Sequence, residues 1–158
     1  MTDTGNDTAS QADRQLHRQW GVALFNRAWE LMRRTDRMPD EDAELVHTVH
    51  ASAYHWLQCG GPEHVARGEW QCSRVYVVLG RPEPALHHAR RVLDICRRHG
   101  IGDWDLAFAY EALARASALS GDVGAARDWL AQARSAADDI AEEGDREQLL
   151  GDLATIVV

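Results

Sequence analysis

The feature that most constrains this chain is its punctuation. Glycine, proline and aspartate divide residues 12–156 into lengths that suit helices, and little inside those lengths favours a strand. The one β-branched run, VYVVL at 75–79, lies within a longer helical pattern. The first helix is expected over 12–34, where Leu16, Trp20, Ala23, Leu24, Ala28, Leu31 and Met32 recur at three- and four-residue steps. TDRMPD is a connector. A second helix over 40–58 starts with Asp40, Glu41 and Asp42 and stops at Gly60-Gly61. Pro62 opens a third at a first-turn position, and that helix ends near Gly80. A fourth runs from Pro82-Glu83-Pro84 to the basic turn Arg97-Arg98-His99, closed by Gly100. Asp103 and Asp122 stand as N-caps of a fifth helix ending near Ser120 and a sixth ending near 143, before Gly144. Asp145 with Gln148 resembles a capping box for a seventh helix over 146–156. Connectors this short make sequential helices antiparallel neighbours. The expected fold is all-α, with hairpins over 12–59, 62–99 and 103–143, a capping helix over 146–156, and a polar, disordered leader over 1–11.

Composition narrows the functions. With 158 residues, the chain has one domain's worth of sequence, and a net charge of −8 argues against generic nucleic-acid or anionic-membrane binding. No apolar run is long enough to span a membrane, and the start lacks a basic region followed by an apolar one. Three cysteines without a CxxC pair do not make a disulfide framework, so reduced thiols and a cytoplasmic location are expected. No HExxH, GxSxG, phosphate loop or dinucleotide fingerprint is present, and no cofactor is implied. The unusual count is six tryptophans against two phenylalanines and three tyrosines. Rings of that size either fill a core or line a binding surface.

The chain also repeats. Gly80 and Gly121 are 41 residues apart, as are Ala85 and Ala126, Cys72 and Leu113, Ser73 and Ala114, Ala89 and Leu130, and Val92 and Ala133. Within this register the fifth and sixth helices resemble a tetratricopeptide repeat at Tyr110, Leu113, Ala114, Gly121-Asp122, Ala126, Leu130 and Ala133. The third and fourth resemble it at Cys72, Ser73, Tyr76, Gly80, Ala85, Ala89 and Val92, and the first pair only loosely. The period exceeds that family's usual length of about 34 residues, and Asp138 stands where the repeat usually ends in proline. The strings HASAYHW, ARGEW, SRVYVVLG and GIGDWDLAFAYEALARA are also similar to a group of small bacterial tetratricopeptide-like proteins without an assigned activity.

The resemblance implies a right-handed superhelix of about three hairpins, whose first helices line a concave groove. Carrying the register back by one and then two periods places Arg33, Arg74 and Arg115 in one groove-facing column. Trp29, Trp70 and Glu111 form a second, and Asn26, Arg67 and Phe108 a third. Such a groove suits an acidic peptide segment, a C-terminal carboxylate or a small anion, because guanidinium groups take carboxylates and phosphates bidentately. The competing reading is structural: the same arginines pair with Glu30, Glu69 and Glu111 as scaffold salt bridges. Trp20 and Trp56 are expected in the core, Trp129 on the convex back or a helix edge, and Trp104 at the start of the fifth helix.

Two further readings stay open. One is an enzyme in the same groove, with Glu111 as general base beside Arg74, Arg115 and His50. A metal is the related option, because His47 and His50 share a helical face, with Glu69 or Glu111 as a third ligand. The other is a self-associating scaffold, in which the leader or the seventh helix fills a second copy's groove. His87 and His88 are expected on a solvated face, Cys72 and Cys96 buried, and Cys59 exposed.

Overall fold

The computed structural model describes residues 4–158, with side chains from Ser10 onward. The described residues form seven helices and no strand: α1 (Thr4–Arg33), α2 (Pro39–Cys59), α3 (Pro62–Val78), α4 (Pro82–His99), α5 (Asp103–Leu119), α6 (Val123–Ala137) and α7 (Glu143–Ala154). They pack as neighbours in chain order, most extensively within α1–α2, α3–α4 and α5–α6. The odd-numbered helices also meet along one side, α1 with α3, α3 with α5, and α5 with α7. No helix among the described residues is long and apolar enough to cross a membrane.

The punctuation acts much as the residues dictate. Pro39, Pro62 and Pro82 open their helices, where a missing N–H costs nothing. Gly80, Gly100 and Gly121 adopt φ of 67°, 64° and 81°, the left-handed turn that a side chain would strain. Asp122 caps α6 by accepting from Ala125 N at 3.0 Å. Arg37, in the first connector, closes the end of α1 by donating to the carbonyls of Leu31 and Met32 at 3.1 and 3.2 Å.

The leader expected over 1–11 falls partly outside the described residues, and α1 runs from Thr4. Three local expectations are corrected. The sixth helix ends at Ala137 rather than near 143, because Ile140 turns into the core and Arg146 takes the carbonyls of Ala137 and Ile140 at 3.1 and 2.7 Å. α7 therefore begins at Glu143, and Gly144 and Asp145 lie inside its first turn. Asp103 has φ of 52° and bridges two connectors, accepting from Trp104 N at 2.6 Å and Ala141 N at 3.3 Å. The apolar stripe of α1 is narrower than expected. Ala28, Leu31 and Met32 are buried, but Leu16 and Trp20 are exposed, because Gly21, not Trp20, faces α2 against the Trp56 ring.

Three contiguous clusters form the core. Leu31, Leu45, Val49, Cys72 and Val75 join α1, α2 and α3. Ala89, Val92, Leu93, Cys96 and Leu113 join α4 to α5. Phe108, Leu130, Ile140, Leu149 and Leu153 join α5, α6 and α7. α5 is buried on nearly every side, and alanines at 107, 109, 112, 114 and 116 let its neighbours approach.

Candidate functional site

α3 presents two polar faces to different neighbours. Arg67, Gln71 and Arg74 share one. Glu69, Cys72 and Tyr76 share the other, since Arg74 and Tyr76 stand about 200° apart around a helix axis.

The first face meets α1, α5 and α7. Gln71 Nε2 donates to Phe25 O at 2.8 Å. Arg67 pairs bidentately with Asp105, at 2.9 Å from both Nε and Nη2, and its guanidinium carbon lies 4.6 Å from the Trp104 ring centre. Trp29 lies 5.8 Å from Trp70, and Trp70 lies 5.7 Å from Phe108, centre to centre, so rings of α1, α3 and α5 run in a row. Arg74 Nη1 reaches Glu111 Oε1 at 3.0 Å, and its Nη2 reaches Asp152 Oδ1 at 3.4 Å. Arg115 Nε donates to the same Glu111 oxygen at 2.5 Å, while its Nη2 donates to Asp152 O at 2.8 Å and Thr155 Oγ1 at 2.9 Å. Glu111 is 1% exposed, and its Oε2 is buried without a partner among the described residues, as is Trp70 Nε1.

The predicted groove residues thus separate into three groups. Arg74, Arg115 and Glu111 come together, and Trp29, Trp70, Phe108 and Arg67 lie along the same side. Arg33 and Asn26 are exposed, and Arg33 makes no ion pair among the described residues. Of the expected scaffold pairs, only those of Glu111 form. Glu30 meets Arg27, and Glu69 turns to α4. Glu111 is the carboxylate the two inner arginines share, and α7 adds the Asp152 carboxylate to Arg74 and the Asp152 carbonyl to Arg115. His50 is not brought to Glu111, because its ring belongs to the opposite side of α3.

That second face meets α2 and α4. His50 on α2 and Tyr76 on α3 share a hydrogen bond of 2.8 Å between Nε2 and the hydroxyl. The His88 ring lies 5.6 Å from Tyr76, within 7° of parallel, and 5.3 Å from His50. Its Nδ1 bonds to Glu69 Oε2 at 2.6 Å, and Arg91 Nε donates to Glu69 Oε1 at 2.8 Å. Cys72 lies beneath, its thiol directed at Val49 O at 4.0 Å. Burial raises the pKa of Glu69, but the hydrogen bonds and charges of His88 and Arg91 outweigh it and hold the carboxyl below its ordinary range. Burial, reinforced by His88, pushes His50 below the ordinary histidine value. Burial pushes the Cys72 thiol up.

The metal-ligating types brought near His50 are Cys72 and His88, while His47 is exposed. His88 is half-buried rather than solvated, although His87 is exposed. Cys72 and Cys96 are buried as expected, and Cys59 is half-buried, donating to His55 O at 3.3 Å. Trp56 is core, Trp129 stacks on Tyr110 at 5.9 Å, and Trp104 sits edge-on to Phe108 at 5.7 Å. Sequence reasoning missed the Tyr76–His88–Glu69–Arg91 assembly. Its signal was present, with Glu69, Cys72 and Tyr76 at i, i+3 and i+7 on α3, and His88 and Arg91 at i and i+3 on α4. The chain matches no protein-family model, no curated protein and no solved structure.

Proposed function

We propose that this protein is a non-enzymatic binding module of tetratricopeptide-like hairpins, whose Arg74–Arg115 wall takes an acidic helical segment. One observation carries the reading. Asp152 of α7 is held there by side chain and backbone together, through Arg74 and Arg115. A carboxylate-bearing helix is thus already the occupant, and α7 acts as a resident ligand that a partner segment of the same chemistry exchanges with. The contact of successive odd helices, and the row Trp29, Trp70, Phe108, support a continuous wall along which such a segment lies. Arg33 is exposed, and in this reading it is the unfilled position of the same arginine column. The site is small, so affinity for a peptide falls in the micromolar range, about 10⁻⁶ M.

The test is a fluorescent peptide spanning 143–158, titrated into the full-length protein by anisotropy. Leu149→Ala/Leu153→Ala, which loosens resident α7, binds it at least about tenfold more tightly than wild type. Adding Arg74→Ala/Arg115→Ala to that background removes most of the gain. Equal binding with and without the two arginines defeats the reading.

A further inference from the structure

A second site lies between α2, α3 and α4, on the side of α3 away from the Arg74–Arg115 wall. One donor atom each from His50, Cys72 and His88 lies within 4.8 Å of the others. We propose that these three residues bind a transition-metal ion of the zinc class.

The donor types come first. Two imidazoles and one thiol make a nitrogen–sulfur set suited to borderline-soft ions and unsuited to magnesium or calcium, which take oxygen. Tetrahedral zinc with bonds of 2.0–2.1 Å to nitrogen and about 2.3 Å to sulfur needs donor atoms about 3.4–3.6 Å apart. The spacing here, within 4.8 Å, exceeds that by at most about 1.4 Å, so the donors have to draw together by about that much on binding. Three protein donors leave a fourth position for water or a small ligand.

The surroundings are those a metal-binding histidine needs. A ligating imidazole characteristically uses its other nitrogen on a carboxylate, which fixes the ring and raises its basicity. His88 has that carboxylate in Glu69 at 2.6 Å, and Glu69 is itself anchored by Arg91 at 2.8 Å. The Tyr76 ring, parallel to His88, blocks its rotation. His50 is likewise oriented by Tyr76, so each histidine spends one nitrogen on a protein neighbour and retains a second. Cys72 is 1% exposed while the His88 side chain is 14% exposed, so the ion enters from the histidine side and meets the thiol last. On binding, the Cys72 S–H bond breaks, the proton leaves to solvent, and the thiolate forms the bond to the metal.

Cobalt(II) is the probe, because a thiolate–cobalt bond gives a near-ultraviolet charge-transfer band that nitrogen and oxygen ligands do not. The full-length, reduced protein is titrated with cobalt(II) and then with zinc(II). The expected result is one equivalent of cobalt per chain, a charge-transfer band, and its loss when zinc displaces the cobalt. Cys72→Ser abolishes the band, Cys59→Ser and His47→Gln leave it intact, and Glu69→Gln retains it with at least about tenfold weaker binding. Absence of the band in the wild-type protein overturns the proposal whether or not any variant folds. Its survival in Cys72→Ser, or its loss in Cys59→Ser, overturns it equally.

Discussion

Arg74 and Asp152, separated by 78 residues in sequence, meet at 3.4 Å, while the other arm of Arg74 reaches Glu111 at 3.0 Å. One guanidinium therefore ties α3 to both α5 and α7. The two acids differ in depth, Glu111 at 1% and Asp152 at 25% side-chain exposure, and that difference sets what each removal does. Glu111→Ala leaves two half-buried cations without their shared carboxylate and costs about 3–5 kcal/mol in urea unfolding. Asp152→Asn costs about 0–1 kcal/mol, but speeds amide exchange in α7 without changing exchange in α3. Equal losses for the two variants would contradict this ranking.

Two glycines predict opposite outcomes for the same substitution. A Cβ at Gly151, in exposed α7, meets nothing within 4 Å, so Gly151→Ala stabilises by about 0.5–1 kcal/mol through helix propensity alone. A Cβ at Gly21 meets three atoms of the rigid Trp56 ring at 3.0 to 3.3 Å. Overpacking of about 1–3 kcal/mol then cancels or exceeds the same gain, so Gly21→Ala is neutral or destabilising. Denaturant midpoints measured side by side separate the two.

Gln71 is fully buried and half satisfied. Its Nε2 bonds to Phe25 O at 2.8 Å, and its Oε1 has no partner among the described residues. Gln71→Leu loses a bond worth about 1 kcal/mol and removes an orphaned oxygen costing about 1–3 kcal/mol. The variant is expected to match or exceed wild-type stability. Ser52→Ala, which only loses the 2.8 Å bond to Gly21 O, is expected to fall by about 0.5–1.5 kcal/mol.

The junction of α1 and α2 responds to acid. His17 Nδ1 and His55 Nδ1 lie 2.8 Å apart, a bond that needs one ring to accept and so to stay neutral. Burial, then the proximity of His17, lowers the His55 pKa below its ordinary value of 6.5. A histidine depressed in the folded state contributes stability that is present above the unfolded pKa and lost as pH falls through the folded one. The melting temperature is expected to drop between about pH 7 and pH 5, and His55→Asn to flatten that slope. Identical slopes in the two proteins would reject the assignment.

Helix existence was legible because its signals are local. Pro62, Gly100 and Asp122 act within one turn of where they stand, and their roles follow from backbone geometry alone. The pairing of Arg74 with Glu111, 37 residues apart, was one of the two readings the arginine column left open. What failed depends on which neighbour a side chain selects. Trp20 and Gly21 are adjacent, and only the presence of the Trp56 ring decides which turns inward. Ile140 ended α6 early through a core position that no cap residue announces. The i, i+3 spacing of His88 to Arg91 is repeated by His87 and Arg90, so it does not tell which histidine turns inward. Its partner, Glu69, lies on another helix and is itself held by Arg91.

α3 lies in the middle of the molecule, with only Glu63 and Val78 exposed along its length. Helices pressed together by apolar contact alone are weakly specified in which face meets which neighbour. The polar side chains of α3 remove that ambiguity. Gln71 is matched only by α1, Ser73 by the Ala85 carbonyl of α4, Arg67 by α5, and Arg74 by α5 and α7 together. Each wrong pairing would strand a charge or an amide in the interior. The central helix thus works as an address label for its neighbours, and the fidelity of assembly rests on its least hydrophobic residues.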